Sequence, residues 1–287
     1  MANFMQRVAT SAVLIGIILA TLFVWPVWVF GIVVMAFVGM ALYEFFTMVR
    51  QRGILVHRPL NVGLGVVFTA LVAWRTLVVP GHVTAPFSAQ EATVLNWSWD
   101  IFWPATIVII FLRQFTRQNT FEALSGLATT LFGLAYIAGL FTYFYYLRTI
   151  KGGDGASAVC FLILVTKMGD AGAFVIGKLI GRHTLVARIS PRKTVEGFVG
   201  GILVSGVTAA LAAPLVSRLH GSMTCGLLLG IMLGGLGQCG DLAESLIKRD
   251  CQVKDSGRLL PGLGGVLDVI DSLLFTAPLF YGFLIYG

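Results

Sequence analysis

From Val8 to Tyr43 the chain carries no charged side chain. A helix needs about 20 mostly apolar residues to cross the hydrocarbon core of a bilayer, so this stretch has room for two crossings. Trp25-Pro26-Val27-Trp28 lies in its middle, a tight turn with the aromatic residues favoured at a membrane–water interface. Apolar runs recur to the end of the chain. Only 11% of residues are charged and 57% are hydrophobic, where a soluble domain carries about 25% charged residues. A soluble globular enzyme, a disordered chain, a collagen-like fibre and a small disulfide scaffold are all excluded. A transmembrane barrel would need short alternating segments rather than continuous apolar runs. The pattern predicts an all-α, polytopic integral membrane protein with about nine transmembrane helices.

The spans fall near residues 8–24, 27–43, 60–79, 98–112, 123–147, 156–176, 197–217, 221–240 and 270–287. The N-terminal run has the look of a signal peptide, but further apolar segments follow at once, which favours a retained first helix. Residues 80–100 are polar, lack Lys and Arg, and read as a loop on the outer face. No repeat and no long linker is visible. Residues 1–287 are therefore read as a single membrane domain, with N-terminal spans in 1–155 and a chemically dense half in 156–287. Cys160, Cys225, Cys239 and Cys251 show no C-x-x-C pair and no zinc spacing.

Basic residues concentrate in short loops on one side of the membrane. With the N-terminus cytoplasmic, Arg7, Arg50, Arg52, Arg58, Arg113, Arg117, Lys178, Arg182, Arg188, Arg192, Lys193, Lys248, Arg249, Lys254 and Arg258 all face the cytoplasm. These are most of the 20 Lys and Arg residues. Arg148, Lys151 and Arg218 fall on the other side. The expected setting is the cell inner (plasma) membrane, with the C-terminus outside. The net charge of +7 then faces lipid headgroups and phosphates, and no nucleic-acid partner is expected.

Most of the 13 acidic residues lie late in the chain: Asp170, Glu196, Asp241, Glu244, Asp250, Asp255, Asp268 and Asp271. Ionisable side chains in or beside membrane spans are costly and need a partner or a water-filled cavity. Asp170 interrupts an apolar run, Asp241 follows the glycine-rich LGGLGQCG, and Asp268 and Asp271 share one helical face at spacing i, i+3. Such carboxylates can converge on a hard cation. The competing reading is local. Asp241 and Asp271 could cap helices, with Glu244 completing a capping box, and Asp170 could pair with Lys167.

Two basic segments supply the complement. Residues 188–197 read RISPRKTVEG, and residues 245–265 read SLIKRDCQVKDSGRLLPGLGG. Cations beside glycines and helix starts hold phosphates. The bland alternative, a basic loop drawn to anionic lipid, predicts Lys and Arg without such a set of acids. Carboxylates able to hold magnesium next to phosphate-binding cations suit phosphoryl or nucleotidyl transfer. No P-loop, GxSxG or HExxH is present.

GDLAESLIKRDCQVKDSGRLLPGLGGVLDVIDS (residues 240–272) resembles the C-terminal signature of the phosphatidate cytidylyltransferase (CDP-diacylglycerol synthase) family, S-x-x-K-R, K-D, P-G-H-G-G and D-R-x-D. SPRKTVEGFVGG (190–201) and GDAGAFVIGKLIGRH (169–183) are similar to two further elements of that family. The resemblance covers roughly residues 160–287. It implies that CTP and phosphatidic acid form CDP-diacylglycerol and pyrophosphate at the cytoplasmic membrane face. It also implies magnesium and a second, monovalent cation (K+). On the same grounds Asp241 and Asp268 are metal ligands, with Asp170, Glu244 and Asp271 as second ligands or water holders. Ser190, Arg192, Lys193, Lys248, Arg249 and Lys254 are phosphate contacts, Asp255 orients Lys254 or accepts from the nucleotide, and Gly264 and Gly265 belong to the substrate-binding turn. A homodimer is compatible with the resemblance alone.

Two positions depart from the pattern: Leu263 replaces the motif's His, and Val269 its Arg. Each lost donor to phosphate would cost roughly 1.5–3 kcal/mol. Three alternatives stay open. One is a CTP-dependent lipid kinase or a nucleotidyltransferase on another lipid. Another is a transporter, which would show paired repeats. The third is a catalytically weak or silent relative.

Overall fold

The computed structural model describes residues 2–78, 89–116, 123–150 and 154–286, with side-chain surroundings for 5–76, 101–116, 123–150 and 154–286. In chain order it consists of α1 (Ala2–Phe23), α2 (Val27–Gln51), α3 (Arg58–Val78) and α4 (Ala89–Phe115), then α5 (Ala123–Gly133), which passes through a π-helical turn (Leu134–Gly139) into α6 (Tyr143–Arg148). The C-terminal half contains α7 (Gly155–Ile180), a hairpin of β1 (Thr184–Val186) and β2 (Ser190–Thr194), α8 (Val195–Ala212), α9 (Met223–Asp250) and α10 (Val266–Tyr286). Among the described residues, 8 helical runs are long and apolar enough to cross a bilayer, and Ile101–Phe115 within α4 is a shorter apolar helix. The chain is an all-α, polytopic membrane protein.

Apolar residues on the outward faces, such as Leu203, Val207 and Leu211, are exposed. In water such a surface would be a liability; in a bilayer it is the lipid contact. Lys167 and Asp170 of α7, Asp241, Glu244 and Lys248 of α9, and Asp268 and Asp271 of α10 are instead buried or half-buried between the helices.

Three expectations change. The span placed at 221–240 runs on to Asp250, and α10 starts at Val266 rather than residue 270. Asp241 therefore lies in mid-helix and Asp271 lies well inside α10, so neither caps a helix. The glycine-rich run ahead of Asp241 is a packing surface, not a break. A Cβ on Gly240 would stand 2.6 Å from the Asp271 carbonyl oxygen, and one on Gly234 would stand 2.7 Å from Ser205 Cβ. Small residues let membrane helices approach backbone to backbone, and LAESLIKR after the glycines favours helix strongly enough to carry it onward. The third change concerns the outer loop expected at 80–100. Residues 89–100 are helical, the first turns of α4, in a stretch free of Gly and Pro; residues 79–88 lie outside the described residues.

Helices α7, α8 and α9 pack side by side, with α10 against α9. Gly230 of α9 meets α8 most closely: a Cβ there would lie 2.5 Å from the Ser205 carbonyl oxygen and 2.5 Å from Ala209 Cβ. Backbone cannot move aside as a side-chain tip can. Gly230→Val is expected to cost about 1–3 kcal/mol through overpacking, read as a lower melting temperature in detergent. An unchanged melting temperature would mean that this crossing is looser than the structure shows.

Contacts between loops test the charge asymmetry. Arg52 in the α2–α3 turn forms an ion pair with Asp250 at the end of α9. Arg249 Nε donates to the Ile189 carbonyl in the hairpin at 3.2 Å, and Thr10 Oγ1 donates to the Pro261 carbonyl at 2.8 Å. At the other end of the bundle, Arg148 donates to the Leu22 carbonyl at 3.0 Å, and Arg218 to the Leu284 carbonyl. The start of α1, the α2–α3 turn, the hairpin and the α9–α10 loop thus share one face, the face on which the sequence places most of its basic residues.

Candidate active site

Helix α9 brings Gln238, Asp241, Glu244 and Lys248 along one side, at helical spacings of three and four residues. Asp271 of α10 faces the same space. One carboxylate oxygen from each of Asp241, Glu244 and Asp271 lies within 4.8 Å of the other two. Glu244 is 0% exposed and Asp271 6%. Three carboxylates this close repel one another unless a cation or protons intervene. Both Glu244 side-chain oxygens are buried without a hydrogen-bond partner, and Lys248 is the one ion-pair partner of Glu244 among the described residues. Such a set of hard oxygen donors with unfilled lone pairs fits a magnesium ion.

Lys248 also forms an ion pair with Asp268 at 2.7 Å. The Asp268 carboxylate is filled by protein donors: the Ser256 hydroxyl at 2.9 Å, the Ser256 amide at 3.1 Å and the Gly265 amide at 2.7 Å. Asp268 and Asp271 share a helix face as expected, yet they serve different neighbours. Asp268 stands outside the three-carboxylate group and organises the α9–α10 loop.

The other predicted acid, Asp170, accepts from Lys167 Nζ at 3.0 Å. Ser272 joins them, donating to Asp170 at 3.0 Å and accepting from Lys167 at 2.9 Å. This triad bridges α7 and α10 beside Asp271.

A polar cavity of about 390 Å³ opens next to these acids. Its lining includes Asp170, Asp241, Arg192, Lys193, Thr194, Gly197 and Gln238, with Phe174 and Phe198 as apolar walls. The hairpin supplies the cations. Its strands pair antiparallel, Val186 with Ser190 and Thr184 with Thr194, and Thr194 caps α8 by accepting from the Gly197 amide at 3.1 Å. Lys193 is held over the cavity by Asp241 at 2.6 Å. Gly197 is required there, because a Cβ would stand 2.7 Å from the Ala173 carbonyl oxygen.

A second cavity, about 430 Å³, lies on the other side of the Lys167–Asp170 pair. Its walls come from α1, α2, α6, α7 and α10 and are apolar except for Ser11, Lys167 and Asp268. Asp170 lines the polar cavity and Lys167 the apolar one.

Of the remaining expected site residues, Ser190 starts β2, and Arg249 donates to the hairpin and to the Val253 carbonyl. Gly264 has φ +100°, a conformation that glycine adopts freely, and Gly265 is the turn residue whose amide serves Asp268. Lys254 and Asp255 are exposed on the α9–α10 loop and line neither cavity.

Two residues escaped the reading of the sequence. Glu44 of α2 is 2% exposed. It accepts from the Val266 amide at 3.0 Å, the Leu267 amide at 2.9 Å and the Ser256 hydroxyl at 3.2 Å. It therefore caps α10 and braces the α9–α10 loop from the N-terminal half. Its signal was available: it is the only acidic residue before Glu91, and it sits in an apolar run, where an ionisable group marks a functional position by default. Tyr136 lies in the π-helical turn, a feature frequent at functional sites. Its hydroxyl is buried and unpaired, within electrostatic reach of Glu244, Asp271 and Asp241.

Fold and site together define a membrane-embedded protein that places a group of three carboxylates beside a polar cavity lined by Arg192 and Lys193. The chain belongs to the cytidylyltransferase family, whose pattern it matches over residues 5–286. A phosphatidate cytidylyltransferase of Synechocystis sp. is 34% identical over 98% of this chain and 96% of its own length. A phosphatidate cytidylyltransferase of Staphylococcus epidermidis is 44% identical over 60% of this chain and 64% of its own. The uncharacterized protein YnbB of Escherichia coli is 42% identical over 56% of this chain and 52% of its own. The chain thus spans less than two thirds of the last two relatives and nearly all of the first.

Proposed function

We propose that this protein is a phosphatidate cytidylyltransferase, joining CTP and phosphatidic acid into CDP-diacylglycerol and pyrophosphate. The observation that carries the reading is the meeting of two unlike cavities across one ion pair: a basic polar cavity lined by Asp170 and an apolar cavity lined by Lys167. A reaction between a nucleotide and a lipid needs that division. Family membership supports the same reading.

In this reaction a phosphate oxygen of the lipid attacks the α-phosphorus of CTP. The bond to the β-phosphate breaks, and pyrophosphate leaves with its electron pair. Arg192 and Lys193 hold the triphosphate, Lys193 exchanging its partner Asp241 for phosphate oxygen. Lys167 holds the lipid phosphate at the boundary of the two cavities. Fixed cations near the phosphorus stabilise the charge that builds up as the bond breaks. Asp241, Glu244 and Asp271 would hold magnesium, which supplies charge neutralisation and orientation to phosphate oxygens. The second, monovalent cation, the homodimer and the phosphate roles of Ser190, Arg249 and Lys254 rest on the resemblance alone. The charge asymmetry and the availability of CTP on that side support a cytoplasm-facing site, and the bacterial relatives support the inner membrane as its setting.

Purified protein given labelled CTP, phosphatidic acid and magnesium is expected to form CDP-diacylglycerol, and chelating the metal should stop it. Absence of any lipid-linked CMP beside an active control would end the enzyme reading. If another lipid phosphate reacts and phosphatidic acid does not, the chemistry stands and the substrate changes.

A further inference from the structure

We propose that the apolar cavity beneath α1 seats the acyl-bearing body of the lipid phosphomonoester, and that Leu263 and Val269 are specificity-determining residues in its wall. The identity of the occupant rests on the cytidylyltransferase reading; the existence of a lipid seat does not.

The cavity, about 430 Å³, falls within the roughly 300–1,000 Å³ typical of small-molecule sites, which are mostly apolar with few polar groups. Helix α1 contributes Leu14, Ile15 and Ile18, and α2 contributes Phe30, Val34 and Phe37. On its other flank α1 exposes Val13 and Ile17. A single helix therefore separates the cavity from surrounding lipid. That helix is tied at its start to the Pro261 carbonyl and at its end to Arg148.

An anionic head would meet one cation at the cavity's end, Lys167, by taking it from its partner Asp170. Its ionisable lining residues are Lys167 and Asp268. Asp268 is already matched by Lys248 and three hydrogen bonds, so its charge is met by protein groups. Lys167 is shared with Asp170 and Ser272 and has its ammonium at the boundary with the polar cavity. A phosphate there sits next to the nucleotide while its apolar body stays out of water.

Leu263 and Val269 line this cavity and not the polar one. Their departure from the resembling motif therefore changes the lipid's surroundings rather than the nucleotide's. A charged Arg or a polar His among these apolar walls would be desolvated. Restoring the motif is expected to weaken, not improve, the fit of a long-chain lipid phosphate.

The test uses the full chain in detergent with two readouts. Phosphatidic acid carrying a photoreactive diazirine in an acyl chain should label α1 and α2 at the cavity, and unlabelled phosphatidic acid should displace it. Ile18→Trp, which fills the cavity away from the charged groups, should raise the KM for dioleoyl phosphatidic acid about tenfold, the loss of burial worth one or two methylenes. The KM for CTP and the elution volume should not move. Leu263→His with Val269→Arg should raise the dioleoyl KM relative to the dihexanoyl KM. Label that is not displaced, or a dioleoyl-to-dihexanoyl ratio that stays constant in all variants, would overturn the proposal. Saturable label at the cavity with no CDP-lipid formed would leave the seat standing and remove the cytidylyltransferase reading instead.

Discussion

Asp241→Asn is expected to lower kcat roughly a thousandfold, the upper range for losing one preorganised electrostatic element of a transition state. The size of the effect follows from three roles in one side chain. Asp241 belongs to the three-carboxylate group, lines the polar cavity and holds Lys193 at 2.6 Å. Asparagine keeps the shape but loses the charge, so the group can no longer neutralise a divalent cation as well, and Lys193 loses its guide. The fold should survive, because removing one of three mutually repelling carboxylates relieves strain in the absence of metal. Two measurements separate these consequences. Melting temperature without metal should be unchanged or higher. Magnesium is expected to raise the melting temperature of the parent protein, a linkage effect of binding the folded state, and that rise should shrink or vanish in the variant. Activity within tenfold of the parent would remove Asp241 from the metal and phosphate machinery.

Glu44→Ala should produce the largest loss of stability. Val266 and Leu267 are both 0% exposed, and their amides have the Glu44 carboxylate as acceptor at 3.0 and 2.9 Å. Truncation leaves two buried donors unpaired at about 1–3 kcal/mol each, and it removes a negative charge from a helix N-terminus. It also frees the Ser256 hydroxyl that Glu44 accepts at 3.2 Å, in the loop that positions Asp268. A fall of many degrees in melting temperature is expected, with a lower kcat in the fraction that remains folded. Val266 and Leu267 use different oxygens of the carboxylate, so Glu44→Gln keeps one acceptor, sets an NH2 against the other amide and should recover only part of the stability. Equal damage by Ala and Gln would point to the charge rather than the cap, and no damage by either would refute the bracing role.

Much of the architecture was legible in order and in length. The stretch from Val8 to Tyr43 became α1 and most of α2, and the segments named in 156–287 became α7 to α10. Misreadings arose where one composition serves two structures. An aspartate after LGGLGQCG suits a helix cap as well as a site, and in this bundle the glycines are a helix face pressed against α8 and α10 while α9 runs on to Asp250. Residues 89–100 are polar enough for a loop and free enough of breakers for a helix. At the site, the resemblance puts Asp241 and Asp268 first among the metal ligands and Asp170, Glu244 and Asp271 second, whereas Asp241, Glu244 and Asp271 are the three that converge. Spacing along α10 could not distinguish Asp268 from Asp271, because the difference lies in their neighbours. Asp268 meets Lys248 and the amides of Ser256 and Gly265, and Asp271 meets the carboxylates of Asp241 and Glu244.

The sequence by itself determined that the chain lives in a membrane, how many apolar helices it has and which face carries its basic residues. Each of these follows from transfer free energies summed over local windows, which need no knowledge of partners. Only the tertiary structure decided which acids share a site, that Glu44 reaches across from the first half to cap α10, and that Leu263 and Val269 wall an apolar cavity. Those outcomes depend on how helices cross and on turns such as the one at Gly264, where φ is +100°. A rotation of about 100° per residue means that one position along a helix separates a residue aimed at the site from one aimed at lipid.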